Sequence, residues 1–178
     1  MIRLVDQMTR SLVFLILGLS TTAFAQHPPV ESPLLDHLAG KWVSQAEIVG
    51  HKSTRDIEGE WVIQHHYLRL HEVSREKDAK GNPRYEAMEY LTIGPQQNQI
   101  QCVWLDVFAG GAGLTTLGVA DPKENDIPFV FKDDKGEINF TNEFTYDPKT
   151  DSWQSTMNNV DHGKTVPFGT EKLARAAK

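Results

Sequence analysis

The chain has 178 residues, a formal net charge of −6 at pH 7 and a single cysteine, Cys102. The acidic balance argues against nucleic acid or an anionic membrane surface as the main partner. One cysteine cannot form an internal disulfide, and Cys102 lies among apolar residues, so we interpret it as a small buried side chain. Stability therefore has to come from the core of one domain.

The first 25 residues have the pattern of a secretory signal peptide. Arg3 and Arg10 give a basic start, residues 11–19 are almost wholly apolar, and residues 23–25 form a small-x-small cleavage site. The apolar run is shorter than the roughly 20 residues that span a bilayer. The sequence predicts a signal peptide over residues 1–25 and a mature domain over residues 26–178. The product would be periplasmic or secreted, with no membrane insertion after cleavage.

A short helix is predicted directly before the first strand. Ser32 is a good N-cap, Pro33 suits the first helical position, and Gly40 suits the C-terminal stop. The apolar face of this helix would close one end of a barrel.

From Trp42 onward the apolar residues alternate with a period of two, which indicates strands. Short turns rich in Asp, Gly and Pro separate the segments and favour antiparallel neighbours. The fold class is therefore all-β, a single up-and-down antiparallel β-barrel of about ten strands, with a flat sandwich as the main alternative. The predicted strands cover residues 42–49, 54–63, 66–73, 84–93, 99–107, 114–120, 129–132, 138–146, 152–160 and 165–175.

A few short motifs resemble the calycin group of lipocalins and their relatives. These are Gly40-x-Trp42 after a short helix, the strand meander, and a closing strand that ends in Arg175. More closely, the mature chain resembles an uncharacterised bacterial lipocalin-like family known as a domain of unknown function. The matching segments are residues 38–42, 61–63 with 67–68, 104–106 and 170–175. The resemblance implies export, and a Trp42 ring that packs across one barrel end beneath Arg175. It implies no reaction.

A haem-binding branch of the calycins is a second alternative. The residues after Gly40-x-Trp42 are Val43-Ser44-Gln45-Ala46, which departs from the glycine-rich continuation of that branch. An axial histidine late in the chain would have to be His162, which falls in a predicted turn.

Glu89 and Asp106 are the best candidate carboxylate pair. If Glu89 lies opposite Trp104 in a hairpin, Ala87 lies opposite Asp106, and the two acids become diagonal neighbours on one face. Such a pair in an apolar interior could do acid–base chemistry, which makes a hydrolase or isomerase the first alternative function. A solvated rim acid, or an ion pair with Arg69 or Arg84, is the simpler interpretation.

Histidines 65, 66 and 71 do not have ordinary metal-ligand spacing. His65 and His71 share a strand face but lie roughly 20 Å apart at about 3.3 Å per residue. No His-x-His or cysteine cluster supplies zinc ligands. No metal and no cofactor is predicted.

The leading functional hypothesis is a carrier or sensor that binds a small, partly apolar molecule inside the barrel. An apolar wall with a few polar groups is the usual composition of such a site. The glycine-rich segment 109–113 would border the mouth. A filled barrel that acts through its surface is a third possibility. The predicted ligand-binding residues are Trp104, Asp106, Glu89, His66, Tyr85, Phe144 and Met157.

Overall fold

The computed structural model describes residues 28–94, 98–108 and 117–177. The predicted signal peptide and the glycine-rich segment 109–113 lie outside these residues. Within the described residues, no helix has both the length and the apolar character needed to cross a membrane.

The short helix α1 spans Pro33–Leu38 and is capped as its sequence predicts. The Ser32 side chain accepts a hydrogen bond from the Leu35 N–H at 3.3 Å, and Pro33 occupies the first turn. The helix ends earlier than predicted. Gly40 is the first residue of a strand, and its φ of +115° lets the chain turn there from helix to sheet.

Ten antiparallel strands follow, one for each predicted segment. Their bounds are β1 Gly40–Ile48, β2 His51–Val62, β3 Tyr67–Ser74, β4 Glu86–Ile93, β5 Ile100–Asp106, β6 Leu117–Ala120, β7 Asp126–Lys132, β8 Ile138–Asp147, β9 Ser152–Asp161 and β10 Lys164–Arg175.

The strands pair with their sequence neighbours all the way round, and β1 also pairs with β10. The fold is therefore a closed ten-stranded up-and-down barrel of lipocalin or calycin type, as predicted. A flat sandwich is excluded because the pairing of β1 with β10 leaves the sheet without a free edge.

The apolar core fills the end of the barrel beside α1. Leu35 and Leu38 of the helix are fully buried there, next to the rings of Trp42 and Trp153. The Trp42 indole N–H donates to the Leu38 carbonyl at 2.8 Å, which ties the helix to β1. Cys102 is buried within the same core, as expected.

Arg175 covers the outside of this closed end. Its guanidinium carbon lies 3.7 Å from the centre of the Trp42 ring. The predicted stacking of Arg175 over Trp42 is confirmed. With one end sealed, any internal space has to open at the other end.

Candidate ligand-binding cavity

A cavity of about 1110 Å³ opens at the end of the barrel opposite α1. This exceeds the roughly 300–1,000 Å³ of ordinary small-molecule pockets, and it includes the open mouth. A completely filled barrel is therefore ruled out. The interior has two chemically distinct parts, an aromatic wall and a polar floor.

The aromatic wall comes from inward positions of β5, β7 and β8. The centre of the Trp104 ring lies 6.0 Å from the ring centre of Phe131 and 6.1 Å from that of Phe140, and both pairs pack edge to face. Phe140 continues the wall to Phe168, with ring centres 5.6 Å apart. Rings held edge to face support one another and leave their remaining faces for a ligand.

The polar floor is built around one buried guanidinium, Arg55 of β2. Its Nη1 donates to Glu72 of β3 at 2.5 Å and lies 3.9 Å from Glu171 of β10. The Ser44 hydroxyl donates a hydrogen bond to Glu171. Alternation along the strands points all four side chains inward, so the network joins the four adjacent strands β10, β1, β2 and β3.

Burial and the closeness of several charges shift the pKa values of the floor residues. Burial, followed by the nearby Glu171 carboxylate, raises the pKa of Glu72 well above its usual range, although Arg55 opposes the shift. For Arg55 burial works against the charge, but Glu72 and Glu171 more than offset it and raise the guanidinium pKa. The Arg55 charge is thus held by the surrounding carboxylates.

Tyr85 links the floor to the aromatic wall. The Arg55 guanidinium lies 4.3 Å from the centre of the Tyr85 ring, a cation–π contact. The Tyr85 hydroxyl accepts a hydrogen bond from the Trp104 indole N–H at 3.2 Å. Burial, with the carboxylates around it, raises the pKa of Tyr85, so the phenol stays protonated.

Glu89 of β4 is the floor carboxyl that lacks a strong partner. It is only 4% exposed, yet it lines the cavity. Its one hydrogen bond within the described residues is from the Cys102 thiol at 3.8 Å, a weak donor. Burial and then the Glu171 charge raise the pKa of Glu89 to about 8.

Asp106 is placed as the hairpin argument required. Glu89 pairs with Trp104 and Ala87 pairs with Asp106, so the two acids are diagonal neighbours on the inner face. Asp106 also accepts a hydrogen bond from the Phe108 N–H at 2.8 Å, at the end of β5. Of the two arginines considered as partners, Arg69 donates to Glu60 and Arg84 donates to the Lys77 carbonyl.

The structure brings nearly all the predicted ligand-binding residues into one cavity. The predicted residues found in the lining are Tyr85, Glu89, Trp104, Asp106, Phe144 and Met157.

His66 is the exception: it was predicted to line the cavity, but it lies outside the cavity lining. It follows a turn in which Ile63, Gln64 and His65 all have positive φ, at the closed end of the barrel. This turn carries His66 away from the mouth, to a separate surface pocket beside Pro28–Glu31.

Sequence reasoning missed the polar floor and part of the wall. Arg55 occupies the same alternate positions of β2 as buried Ile57 and Gly59, and Glu72 occupies the same alternate positions of β3 as buried Leu68 and Leu70. That alternation could have placed both charges inside. The missed lining residues that matter most are Arg55, Glu72, Glu171, Phe131 and Asn142.

The other histidines considered as ligands in the sequence, His65, His71 and His162, do not line the cavity. His65 stacks on Trp61 with ring centres 4.1 Å apart, and His71 contacts Glu86 at 2.9 Å. His162, the candidate axial haem ligand, is exposed in the turn between β9 and β10. His51 is exposed at the start of β2, where it lines the cavity. In the described part of the chain, no three His, Cys, Asp or Glu residues are grouped as metal ligands.

Comparison with known proteins found no protein-family model that matches the chain and no similar curated protein. The cavity itself therefore has to indicate what the protein can bind. An aromatic wall can hold a flat apolar group, and the floor below it offers mainly hydrogen-bond acceptors.

Proposed function

We propose that this protein is an exported carrier or sensor that binds a small, partly apolar molecule inside its barrel. The observation that carries the proposal is the cavity of about 1110 Å³, with aromatic rings on its wall and charged groups on its floor. Burying such polar groups around an empty space costs stability, which favours a binding role over a purely structural one.

The motifs at the closed end support the same proposal. Gly40-x-Trp42 and Arg175 resemble those of an uncharacterised bacterial lipocalin-like family, and the sequence before the barrel is predicted to be a signal peptide. In this arrangement the closed end supplies stability. The open end is left for a ligand.

Native mass spectrometry of protein purified from its own host tests the proposal. We expect a bound small molecule on the wild-type protein. Trp104→Ala and Asp106→Ala should each lower its affinity by roughly tenfold or more, because a lost aromatic or charged contact is typically worth 1–3 kcal/mol. Leu105→Ala is the matched control, since Leu105 is half exposed on the outer face of the same strand.

The proposal fails if the host protein carries no bound molecule. It also fails if Trp104→Ala and Asp106→Ala fold normally and bind the identified ligand as tightly as Leu105→Ala does.

A second candidate function is acid–base catalysis by Glu89 with Asp106, as a hydrolase or isomerase. The observation that favours it is the Glu89 carboxyl, whose pKa of about 8 lies near neutrality and which faces a deep cavity. Chemical change of the bound molecule, abolished by Glu89→Gln, would favour the enzyme. An unchanged ligand would favour the carrier or sensor.

A further inference from the structure

The one buried guanidinium of the cavity is already occupied by carboxylates. Arg55 donates to Glu72 and lies beside Glu171, its Nε donates to the Ser53 hydroxyl at 3.1 Å, and its face rests on Tyr85. An anionic ligand would have to displace Glu72 or Glu171 and leave that carboxylate buried without its cation, which is costly. The floor is therefore poorly suited to a carboxylate or phosphate.

Glu89, unlike Arg55, has no strong partner among the described residues. It is buried, it lines the cavity, and within the described residues its one hydrogen-bond donor is the Cys102 thiol. A buried carboxylate without a good donor is unfavourable, and a ligand that brings N–H groups would satisfy it. Charge-assisted bonds from an ammonium group are the strongest of this kind.

The charges of the cavity lining also favour a cationic ligand. Among the described lining residues, acidic side chains outnumber basic ones, and Arg55 is the one basic side chain that is buried. The acidic lining residues are Glu72, Glu76, Glu89, Asp106, Asp133, Asp134 and Glu171. A cavity with this lining raises the local concentration of cations over anions.

The aromatic wall favours a ligand that also contains a flat ring. Trp104, Phe131 and Phe140 form one edge-to-face cluster near the acidic floor. Aromatic faces attract cations and also pack against flat rings. A ligand with an aromatic ring and a short alkylamine arm satisfies both parts of the cavity.

We propose that the cavity selects small aromatic amines, bound as ammonium ions with Glu89 as the acceptor of their N–H groups. This inference rests on the proposed small-molecule-binding function and names its ligand class.

The affinity of the cavity for an ammonium ligand should depend on pH. Several groups face Glu89 from the surrounding strands and set its proton affinity: Arg55, Glu72, Tyr85, Cys102, Asp106 and Glu171. Their combined effect with burial puts the Glu89 pKa at about 8, so at pH 6 the free protein holds a proton there that an ammonium ligand has to displace. A primary alkylamine stays protonated to about pH 10. Amine affinity should therefore rise by up to about tenfold per pH unit toward pH 8 and level off above it.

Calorimetric titration with three probes of one shape tests the ligand class: naphthylethylamine, naphthylethanol and naphthylpropanoate. We expect the amine to bind at least tenfold tighter than the alcohol at pH 8, and the carboxylate to bind weakest. At pH 7 amine binding should release a proton to the buffer, seen as a heat that differs between phosphate and Tris. The wild-type protein alone suffices for these measurements.

Glu89→Gln should weaken the amine at least tenfold, leave the alcohol within about threefold, and remove the pH dependence. Glu143→Gln is the control, because Glu143 is exposed on the outer face of β8.

Equal affinity of the amine and the alcohol, or tighter binding of the carboxylate, overturns the amine class and leaves small-molecule binding intact. If no probe binds, the molecule found on the host protein decides: one with a basic nitrogen supports the class, and one without it overturns it. No bound molecule at all contradicts the proposed function as well.

Discussion

Arg175 joins three parts of the closed barrel end with one side chain. Its Nη1 donates to the Ala39 carbonyl at 2.6 Å and its Nη2 to the His37 carbonyl at 3.1 Å, both at the end of α1. Its Nε donates to Asp151 at 2.8 Å, and this contact is the main cause that lowers the pKa of Asp151. The guanidinium face covers Trp42. One planar cation thus holds the helix, β1 and the β8–β9 turn together.

Arg175→Ala should lower the free energy of unfolding by about 1–3 kcal/mol, because it leaves carbonyl groups of α1 without their donor. Trp42→Ala should cost more, about 3–5 kcal/mol, since it also leaves a cavity in the core. Lys172→Ala, at an exposed position of the same strand, is the control and should change little. Urea unfolding followed by circular dichroism measures all three. Equal stability of Arg175→Ala and wild type would contradict this role.

The contrast between Arg175 and Arg55 shows what could be predicted from the sequence at this scale. Arg175 was placed correctly because Gly40-x-Trp42 and a basic residue at the end of the closing strand resemble the pattern of the calycin group, in which the two residues stack. Arg55 was missed because charged residues are rarely buried, and the partners that permit its burial, Glu72 and Glu171, are distant in sequence. Only the register of neighbouring strands brings them together.

At the scale of the elements, alternation and turn chemistry predicted every strand that the structure contains. The largest differences at described strand ends are three residues: β2 starts at His51 instead of the predicted residue 54, and β7 starts at Asp126 instead of the predicted residue 129. Pro128 is tolerated there because β7 pairs with β6 only at Val130 and Phe131, so the missing Pro128 N–H breaks no ladder with β6. Local patterns predict strands well, and the pairing decides where each one ends.

The packing of α1 against β2 makes a specific demand on Gly59. A side-chain carbon at this position would collide with the Leu38 carbonyl oxygen, which also accepts the Trp42 indole bond. We expect Gly59→Ala to push the helix off the barrel end and to lower the unfolding free energy by about 1–3 kcal/mol.

Glu58→Ala is the control for Gly59→Ala, because Glu58 is the exposed neighbour whose ion pair with Lys41 lies on the surface. Its effect should stay within about 0.5 kcal/mol. Thermal unfolding of the two variants gives the comparison. An unchanged melting temperature for Gly59→Ala would mean that α1 does not need this close contact.

At the scale of the whole molecule, the sequence predicted a barrel but left open whether it was filled. That question depends on the summed volume of inward side chains. Small inward residues such as Ser44 and Ser155 are fully buried. The long Arg55 side chain is held against the carboxylate of Glu72. The space left inside the barrel depends on which side chains the strand pairing brings together, and the sequence of a single strand does not show this.

Export of the whole chain is predicted by its first 25 residues. We expect cleavage after Ala25, so that the exported protein begins at Gln26, because the apolar run and the small residues before Gln26 suit a signal peptidase. Intact-mass measurement of the exported protein checks this. Leu15→Arg, which interrupts the apolar run, should keep the protein inside the cell. Exported protein that retains Met1 or Met8 would contradict the prediction.

The pairing of β1 with β10 also has a consequence for how the protein folds. The contact between Arg175 and Ala39 joins residues 136 positions apart, so the ring cannot close until the end of the chain has arrived. Folding that depends on such distant contacts is slow, on the order of milliseconds to seconds. During that interval β1 and β9 present unpaired backbone groups, which attract other chains. A chain cut before Lys164 would keep both edges open permanently, and we expect it to aggregate instead of forming a smaller barrel.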